Sequence, residues 1–296
     1  MPIAHEFDYH KPKTLPEAVK LLAEYRGKAK PLAGGTDLIV WLKGGLEKPE
    51  AVVDIKALRE LGRIVWKKDE ALIGALITFS ELIDNADVRK KLPVLWEASR
   101  TVASVGVRNR ATLAGNICSA VPSLDSAPAL LVYDAVVHLQ GPRGKRQMPL
   151  KDFFMGPKKT ALAPGELVTG VAVRIPKKKS GGCYAKLGRY AGEDLAQVGL
   201  AVLALADNTY RVAHCAVGPV ARRAEKIEGL LNGKRLSDIL LEEAVRLVDK
   251  EISPISDIRS SKEYRLHMTK VMLRRALWAA VNRLAGSGPV AGSSLI

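Results

Sequence analysis

The chain is poor in cysteine. Its 296 residues include three, Cys118, Cys183 and Cys215, and their spacing fits neither zinc nor an iron–sulfur cluster. A sparse, odd set fits reduced thiols in a reducing compartment. The five histidines are scattered without metal-ligand spacing, so no metal site is expected. Aromatic residues are only 5% of the chain, which leaves few stacking platforms for single-stranded nucleic acid. No apolar run approaches the roughly 20 residues of a membrane-spanning helix. The opening Met1-Pro2-Ile3-Ala4-His5-Glu6 lacks the charged-then-apolar pattern of a signal peptide. A cytoplasmic protein without a membrane span is the expectation. Three motifs are also missing: a glycine turn followed by Lys-Ser/Thr, a dinucleotide fingerprint of Rossmann spacing, and a Gly-x-Ser-x-Gly elbow. A P-loop hydrolase, a Rossmann dehydrogenase and a serine hydrolase lose ground together.

What is present is ordinary for a soluble globular protein, with 47% hydrophobic and 26% charged residues. The length suggests two domains. Lys and Arg number 46 against 31 Asp and Glu, a net charge of +15. Nucleic-acid binding is one reading of that excess. The basic residues are spread along the chain, however, and a docking face for an acidic partner subunit is favoured. The densest run, Lys177-Lys178-Lys179, precedes Ser180-Gly181-Gly182 and reads as a solvated linker between domains.

The chain is organised around Pro31-Leu32-Ala33-Gly34-Gly35-Thr36-Asp37-Leu38. Gly34 and Gly35 can take positive φ without a steric penalty, and successive N–H groups in such a turn converge on an anion. A helix beginning at Asp37 adds its orphan N–H groups and dipole. Phosphate or pyrophosphate is the natural guest, and a plain tight turn is the alternative. A second stretch, Thr112-Leu113-Ala114-Gly115-Asn116, repeats the chemistry and shifts the balance towards a ligand. It is followed by Cys118, Ser119, Ser123 and Asp125, where hydroxyls and a carboxylate suit a ligand with both phosphates and sugar hydroxyls. Arg108 and Arg110 stand just before it, as phosphate partners or as solvated or subunit-facing charges.

Around these turns the pattern is mixed helix and strand. Thr14 with Glu17, and Thr78 with Glu81, have capping-box spacing. Residues 29–33, 51–55 and 168–175 read as strands, and 64–66 with 72–74 as a hairpin. Residues 94–105 have helical spacing, with Leu95, Ala98, Val102 and Val105 sharing a face. After the linker, 198–205 and 210–217 form a hairpin around Asp207-Asn208. Helices follow at 224–231, 242–248 and 261–285, then a small-residue tail. A sheet followed by helices reads as an α+β second domain.

These residues resemble a known family. Ala33-Gly34-Gly35-Thr36-Asp37 and Thr112-Leu113-Ala114-Gly115-Asn116 look like the paired FAD pyrophosphate loops of the FAD-binding medium subunit of molybdenum hydroxylases. That family includes xanthine dehydrogenase, carbon monoxide dehydrogenase and aldehyde oxidoreductases. Val107 to Thr112, Pro128-Ala129-Leu130-Leu131, Phe154-Met155-Gly156-Pro157, Tyr184-Ala185-Lys186 and Asp194-Leu195-Ala196 carry the resemblance along nearly the whole chain.

The resemblance implies an α+β fold: a two-subdomain FAD-binding domain of PCMH type at 1–178 (subdomains about 1–55 and 56–178), and a smaller α+β domain at 179–286. Residues 287–296 would be a flexible tail. It implies non-covalent FAD, held by Leu32, Ala33, Gly34, Gly35, Thr36 and Asp37 on one side and Ala114, Gly115 and Asn116 on the other. Thr112, Ser119 and Asp125 would meet ribityl, ribose or phosphate groups, and Leu162 and Lys186 would lie along the cofactor near the domain junction. No residue would be catalytic towards substrate. The 2Fe–2S clusters and molybdopterin would reside on a small iron–sulfur subunit and a large molybdopterin subunit, with a dimer of heterotrimers as one arrangement. Two departures stand out: Ala114 replaces the first glycine common in the second loop, and Leu195 stands where an aromatic is often found. A self-sufficient FAD-dependent oxidase or reductase, and a basic nucleic-acid-binding protein, are the alternatives.

Overall fold

The computed structural model describes residues 3–190 and 192–286; the expected tail at 287–296 lies outside them. The first unit is β1 (Asp8–His10), α1 (Leu15–Glu24), β2 (Ala29–Leu32), α2 (Leu38–Lys43) and β3 (Ala51–Asp54). Its three strands are parallel in the order β1-β3-β2, with Asp8 and Ala29 both opposite Ala51. Thr14 caps α1 by accepting the Glu17 N–H at 3.3 Å. The other half of the expected box moves by one residue, because the Glu17 carboxylate accepts the N–H of Lys13, not of Thr14. The parallel pairing puts the 33–37 turn at the C-terminal edge of the sheet. Ligands of open α/β sheets bind at that edge.

The second unit begins with β4 (Ile64–Trp66) and β5 (Glu70–Gly74). Six helices follow: α3 (Phe79–Asp84), α4 (Ala86–Lys91), α5 (Pro93–Arg100), α6 (Val105–Arg108), α7 (Leu113–Ser119) and α8 (Ser126–Val132). It continues with β6 (Val136–Gly141), β7 (Gly144–Pro149), β8 (Phe154–Gly156), β9 (Lys159–Thr160) and β10 (Leu167–Arg174). The antiparallel sheet has the order β4-β5-β10-β6-β7, so β10, the last strand made, is its centre. Thr78 and Glu81 form a complete capping box on α3. The helix expected over 94–105 stops at Arg100. Ala103 takes a left-handed φ of +37°, and Ser104 restarts the chain as the cap of α6, accepting the Val107 N–H at 3.2 Å. A serine side chain offers the backbone this alternative to a continuous helix. Val105 is consequently 63% exposed and leaves the buried face.

The last unit is β11 (Ser180–Leu187), β12 (Val198–Leu205), β13 (Tyr210–Cys215) and β14 (Arg222–Arg223), then α9 (Glu225–Leu231), α10 (Asp238–Leu247) and α11 (Lys262–Ala285). The sheet is antiparallel in chain order. Every residue of β12 is buried. Period-2 alternation explains how a continuous apolar run is used. Ala201 and Leu203 join the core of the preceding units, while Val198, Leu200, Val202 and Ala204 join a second core with α9, α10 and α11. The sheet is thus covered on both faces. The segment between β10 and β11 is tied to the units on both sides, with Lys177 paired to Asp69 at 2.9 Å and Lys178 to Asp207 at 2.5 Å.

Candidate functional site

The two glycine turns meet. Both glycines of the first turn are free to take positive φ, and Gly35 does so, at +79°. Gly34 is required for a different reason: a Cβ there would lie 2.0 Å from the Arg110 carbonyl oxygen and 3.0 Å from the Ala111 Cα. It is the point where the first turn touches the backbone leading into the second. Asp37 stands at the start of α2, and the N–H of Ile39 reaches back to the Gly35 carbonyl at 3.0 Å. Among the described residues, the N–H groups of Gly34, Gly35, Thr36, Asp37 and Leu38 have no hydrogen-bond partner. They are half-buried, so this is a run of successive donors in need of an acceptor.

The second turn is capped from within. Buried Thr112 accepts the Gly115 N–H at 3.0 Å, and a Cβ on Gly115 would crowd that hydroxyl at 2.9 Å. Ala114 lies in the first turn of α7, buried and without positive φ. The change from glycine therefore imposes no backbone strain. Asn116 accepts the Ser126 hydroxyl at 2.6 Å, which leaves its amide NH2 free among the described residues. The Ser119 hydroxyl donates to the Asp37 carboxylate and ties α7 to the start of α2.

Between the turns is a cavity of about 430 Å³, within the range of small-ligand sites. Every residue expected at the cofactor lines it except Asp125 and Lys186: Leu32, Ala33, Gly34, Gly35, Thr36, Asp37, Thr112, Ala114, Gly115, Asn116, Ser119 and Leu162. Sequence reasoning missed Lys30, Trp41, Glu47, Thr160 and Lys158, which also line the cavity. The amphipathic run after the first turn was a signal for Trp41, and the Gly156-Pro157 turn was one for Lys158. Cys118 also lines the cavity, and burial pushes its thiol up to about 12, so it stays protonated at neutral pH. The 161–166 wall is held by Arg146, which grips Glu166 through two bonds of 2.6 Å and donates to the Ala161 carbonyl at 2.9 Å. That guanidinium holds the Glu166 carboxyl below its ordinary pKa.

Asp125 and Lys186 pair with each other across the domain junction. Lys186 Nζ donates to Asp125 Oδ2 and to the Thr101 carbonyl, both at 2.8 Å. The Tyr184 hydroxyl donates to Asp125 Oδ1 at 2.7 Å. Burial pushes the Asp125 carboxyl up, against the opposing pull of Lys186 and Tyr184. Arg108 turns away from any anion role, because its guanidinium donates to the Val102 and Ala103 carbonyls at 2.8 and 2.6 Å. Leu195 is 48% exposed.

Comparison with known proteins bears on what fills the cavity. Residues 5–178 match the family described as the FAD binding domain in molybdopterin dehydrogenase, and residues 183–280 the CO dehydrogenase flavoprotein C-terminal domain. The chain belongs to the FAD-binding subunits of molybdopterin dehydrogenases. The carbon monoxide dehydrogenase medium chain of Afipia carboxidovorans is 34% identical over 95% of this chain and 99% of its own. A putative xanthine dehydrogenase FAD-binding subunit of Escherichia coli K12 is 34% identical over 94% and 97%. A solved Cu,Mo-CO dehydrogenase superposes with a TM-score of 0.91 at 34% identity, covering 96% of this chain and 100% of that one. Quinoline 2-oxidoreductase from Pseudomonas putida 86 gives 0.88 at 27% identity, covering 96% and 99%. As an oxidoreductase subunit of this FAD-binding family, the chain has a cradle that fits the cofactor's pyrophosphate: five free N–H groups beside a glycine contact too close for any side chain. No helix among the described residues is long and apolar enough to cross a membrane.

Proposed function

We propose that the chain binds FAD non-covalently in this cavity and serves as the electron-transfer subunit of a molybdenum hydroxylase complex. The observation that carries the reading is the run of free N–H groups where the two turns touch. Gly34, Gly35 and Thr36 would hold one side of the pyrophosphate, and Gly115 and Asn116 the other. Thr112 and Ser119 would meet the ribityl, ribose or phosphate groups, with Leu162 along the cofactor, while Asp125 and Lys186, paired with each other outside the cavity lining, would act on it from the domain junction. When bound, a flavin supplies the means to accept electrons singly and release them in pairs. Lys186 places its Nζ at the junction, with two of its three donors committed to Asp125 and Thr101. A cation fixed there stabilises negative charge on the cofactor. In this reading residues 1–178 form the flavin domain, divided near 55, and 179–286 the C-terminal domain.

The relatives named as medium chains of carbon monoxide and glyceraldehyde dehydrogenases support partnership with two further subunits. A large molybdopterin subunit would oxidise substrate, and a small subunit with 2Fe–2S clusters would pass electrons to this chain and on to an external acceptor. The test is chromatography of the acid-released cofactor from the complex purified from its source, followed by substrate titration of the flavin absorbance. One FAD per chain is expected, bleached by substrate only when both partners are present. Bleaching of the isolated flavin-loaded chain by substrate would overturn the electron-transfer role. Absence of FAD from the complex, with no rebinding, would overturn the site.

A further inference from the structure

Five charged side chains line the cavity: Lys30, Asp37, Glu47, Lys158 and Glu166. Four are engaged. Lys30 pairs with Glu47 at 3.0 Å, Arg146 grips Glu166, and Asp37 accepts the Ser119 hydroxyl. Lys158 is the remaining cation and has no carboxylate partner among the described residues. Its ammonium stands 5.4 Å from the centre of the Trp41 ring.

The backbone at Lys158 is unusual. It sits at the exposed tip of the β8–β9 hairpin with φ at +58°, a conformation that turns ordinarily give to Gly or Asn. A left-handed non-glycine residue at a site is grounds for seeking a role for its side chain. The Lys158 N–H donates at 2.8 Å to the carbonyl of Ala120, the left-handed residue that ends α7. The hairpin tip is thereby pinned to the helix that carries the second turn. The side chain reaches Trp41 on α2, the helix that follows the first. Lys158 therefore bridges the elements bearing both turns, at a cavity whose other cation is already neutralised.

We infer that Lys158 is an anion-binding residue of this site, whose ammonium exchanges the Trp41 face for the pyrophosphate of the bound dinucleotide. The inference rests on the reading that FAD occupies the cavity. The backbone nest contributes only partial charges, and Lys158 adds a full one where a doubly charged group is held. Trp41 keeps the side chain over the cavity until then, since an ammonium over an indole face is held by the ring quadrupole.

The test uses the full chain stripped of cofactor, with FAD affinity read from quenching of flavin fluorescence. Lys158→Ala is expected to raise the Kd for FAD about tenfold, as loss of a charge-assisted contact does. Lys158→Arg should stay within about threefold of wild type, because it preserves the charge. Lys158→Gly separates binding from structure. Glycine relieves the left-handed backbone, so the apo protein should melt no lower than wild type while its FAD Kd rises as in the alanine variant. Equal Kd values for wild type, Lys158→Ala and Lys158→Gly would overturn the lysine's role and leave the cofactor site standing. Failure of the wild-type chain to take up FAD would overturn both.

Discussion

Replacing Gly34 by alanine separates two explanations of the first turn. If conformational freedom were the requirement, Gly35, at φ +79°, would be the more sensitive position. The structure predicts the reverse order. A Cβ on Gly35 meets the Cδ1 of the Leu32 side chain at 2.9 Å, which can rotate away, and the left-handed backbone costs about 1–2 kcal/mol. A Cβ on Gly34 meets the Arg110 oxygen at 2.0 Å and its carbonyl carbon at 2.7 Å. That backbone is held by the N–H of Arg110 on Val107 at 3.0 Å, and by the Phe79 N–H on the Ala111 carbonyl at 3.0 Å. The turns must part by about an ångström to restore ordinary contact. Overpacking costs about 1–3 kcal/mol, and a backbone obstacle puts this case at the upper end. At about 3 kcal/mol, with an unfolding entropy of about 2.1 cal/mol/K per residue, the midpoint of thermal unfolding should fall by roughly 5 °C for a chain of this size. Because parted turns no longer converge their donors, ligand stabilisation should vanish as well. With FAD at 100 times Kd the wild type gains about 2.7 kcal/mol, and Gly34→Ala should gain nothing measurable. Calorimetric melts with and without FAD decide the matter. A Gly34→Ala protein that melts like Gly35→Ala, or that keeps its FAD-induced rise, would refute the loop-contact reasoning.

Three further outcomes are expected. Lys186→Met leaves Asp125 buried without its cation, a loss of about 3–5 kcal/mol, whereas Asp125→Asn combined with Lys186→Met should recover much of it in denaturant titrations. His214 is buried with neither ring nitrogen partnered among the described residues, and burial together with Arg222 lowers its pKa to about 4. The fold holds it neutral, so its contribution is intact above the unfolded value of 6.5 and is lost as pH falls from 6.5 towards 4. His214→Leu should therefore gain on wild type through that window, by up to about 3 kcal/mol; a constant difference across pH would refute the assignment. Arg146→Met frees the 161–166 wall and leaves the Glu166 carboxylate, only 10% exposed, without its guanidinium, so stability should fall by about 1–3 kcal/mol while the FAD Kd rises several-fold in fluorescence titration.

Local chemistry made much of this architecture legible. Thr78 and Glu81 announce α3 by their spacing, and Asp207-Asn208 announces the β12–β13 turn, where Asn208 takes φ +59°. The turn residues from Leu32 to Asp37 and from Thr112 to Ser119 were legible because glycine and hydroxyl side chains concentrate there. What escaped detection depended on contacts distant in sequence. The need for Gly34 comes from Arg110, and Lys30, Glu47 and Lys158 reach the cavity only through packing of separate elements. The break at Ser104 escaped because apolar periodicity continued through it while the cap did not advertise itself. Arg108 read equally well as a phosphate partner or a surface charge, and its guanidinium instead holds two loop carbonyls.

The C-terminal sheet holds the junction residues rigidly, as the proposed role of Lys186 requires. β11 carries Tyr184 and Lys186 on positions of one parity, and Tyr184 joins the core of the preceding units while Cys183 and Ala185 join the core beneath α11. The strand's backbone is fixed from both sides. The Tyr184 N–H donates to Glu97 of α5 at 2.9 Å, and that carboxylate also pairs with Arg283 of α11 at 2.8 Å. One glutamate thus bonds both layers across the strand. Arg223 does the same at the far edge, bridging Asp134 beyond α8 to Glu228 of α9. Interfaces between domains in one chain resemble transient protein contacts unless they are large and apolar. Here a shared core with paired charges at its margins resists relative motion. A lysine mounted on such a strand keeps its ammonium at a fixed place relative to the turns, and electrostatic tuning of a cofactor needs that preorganisation.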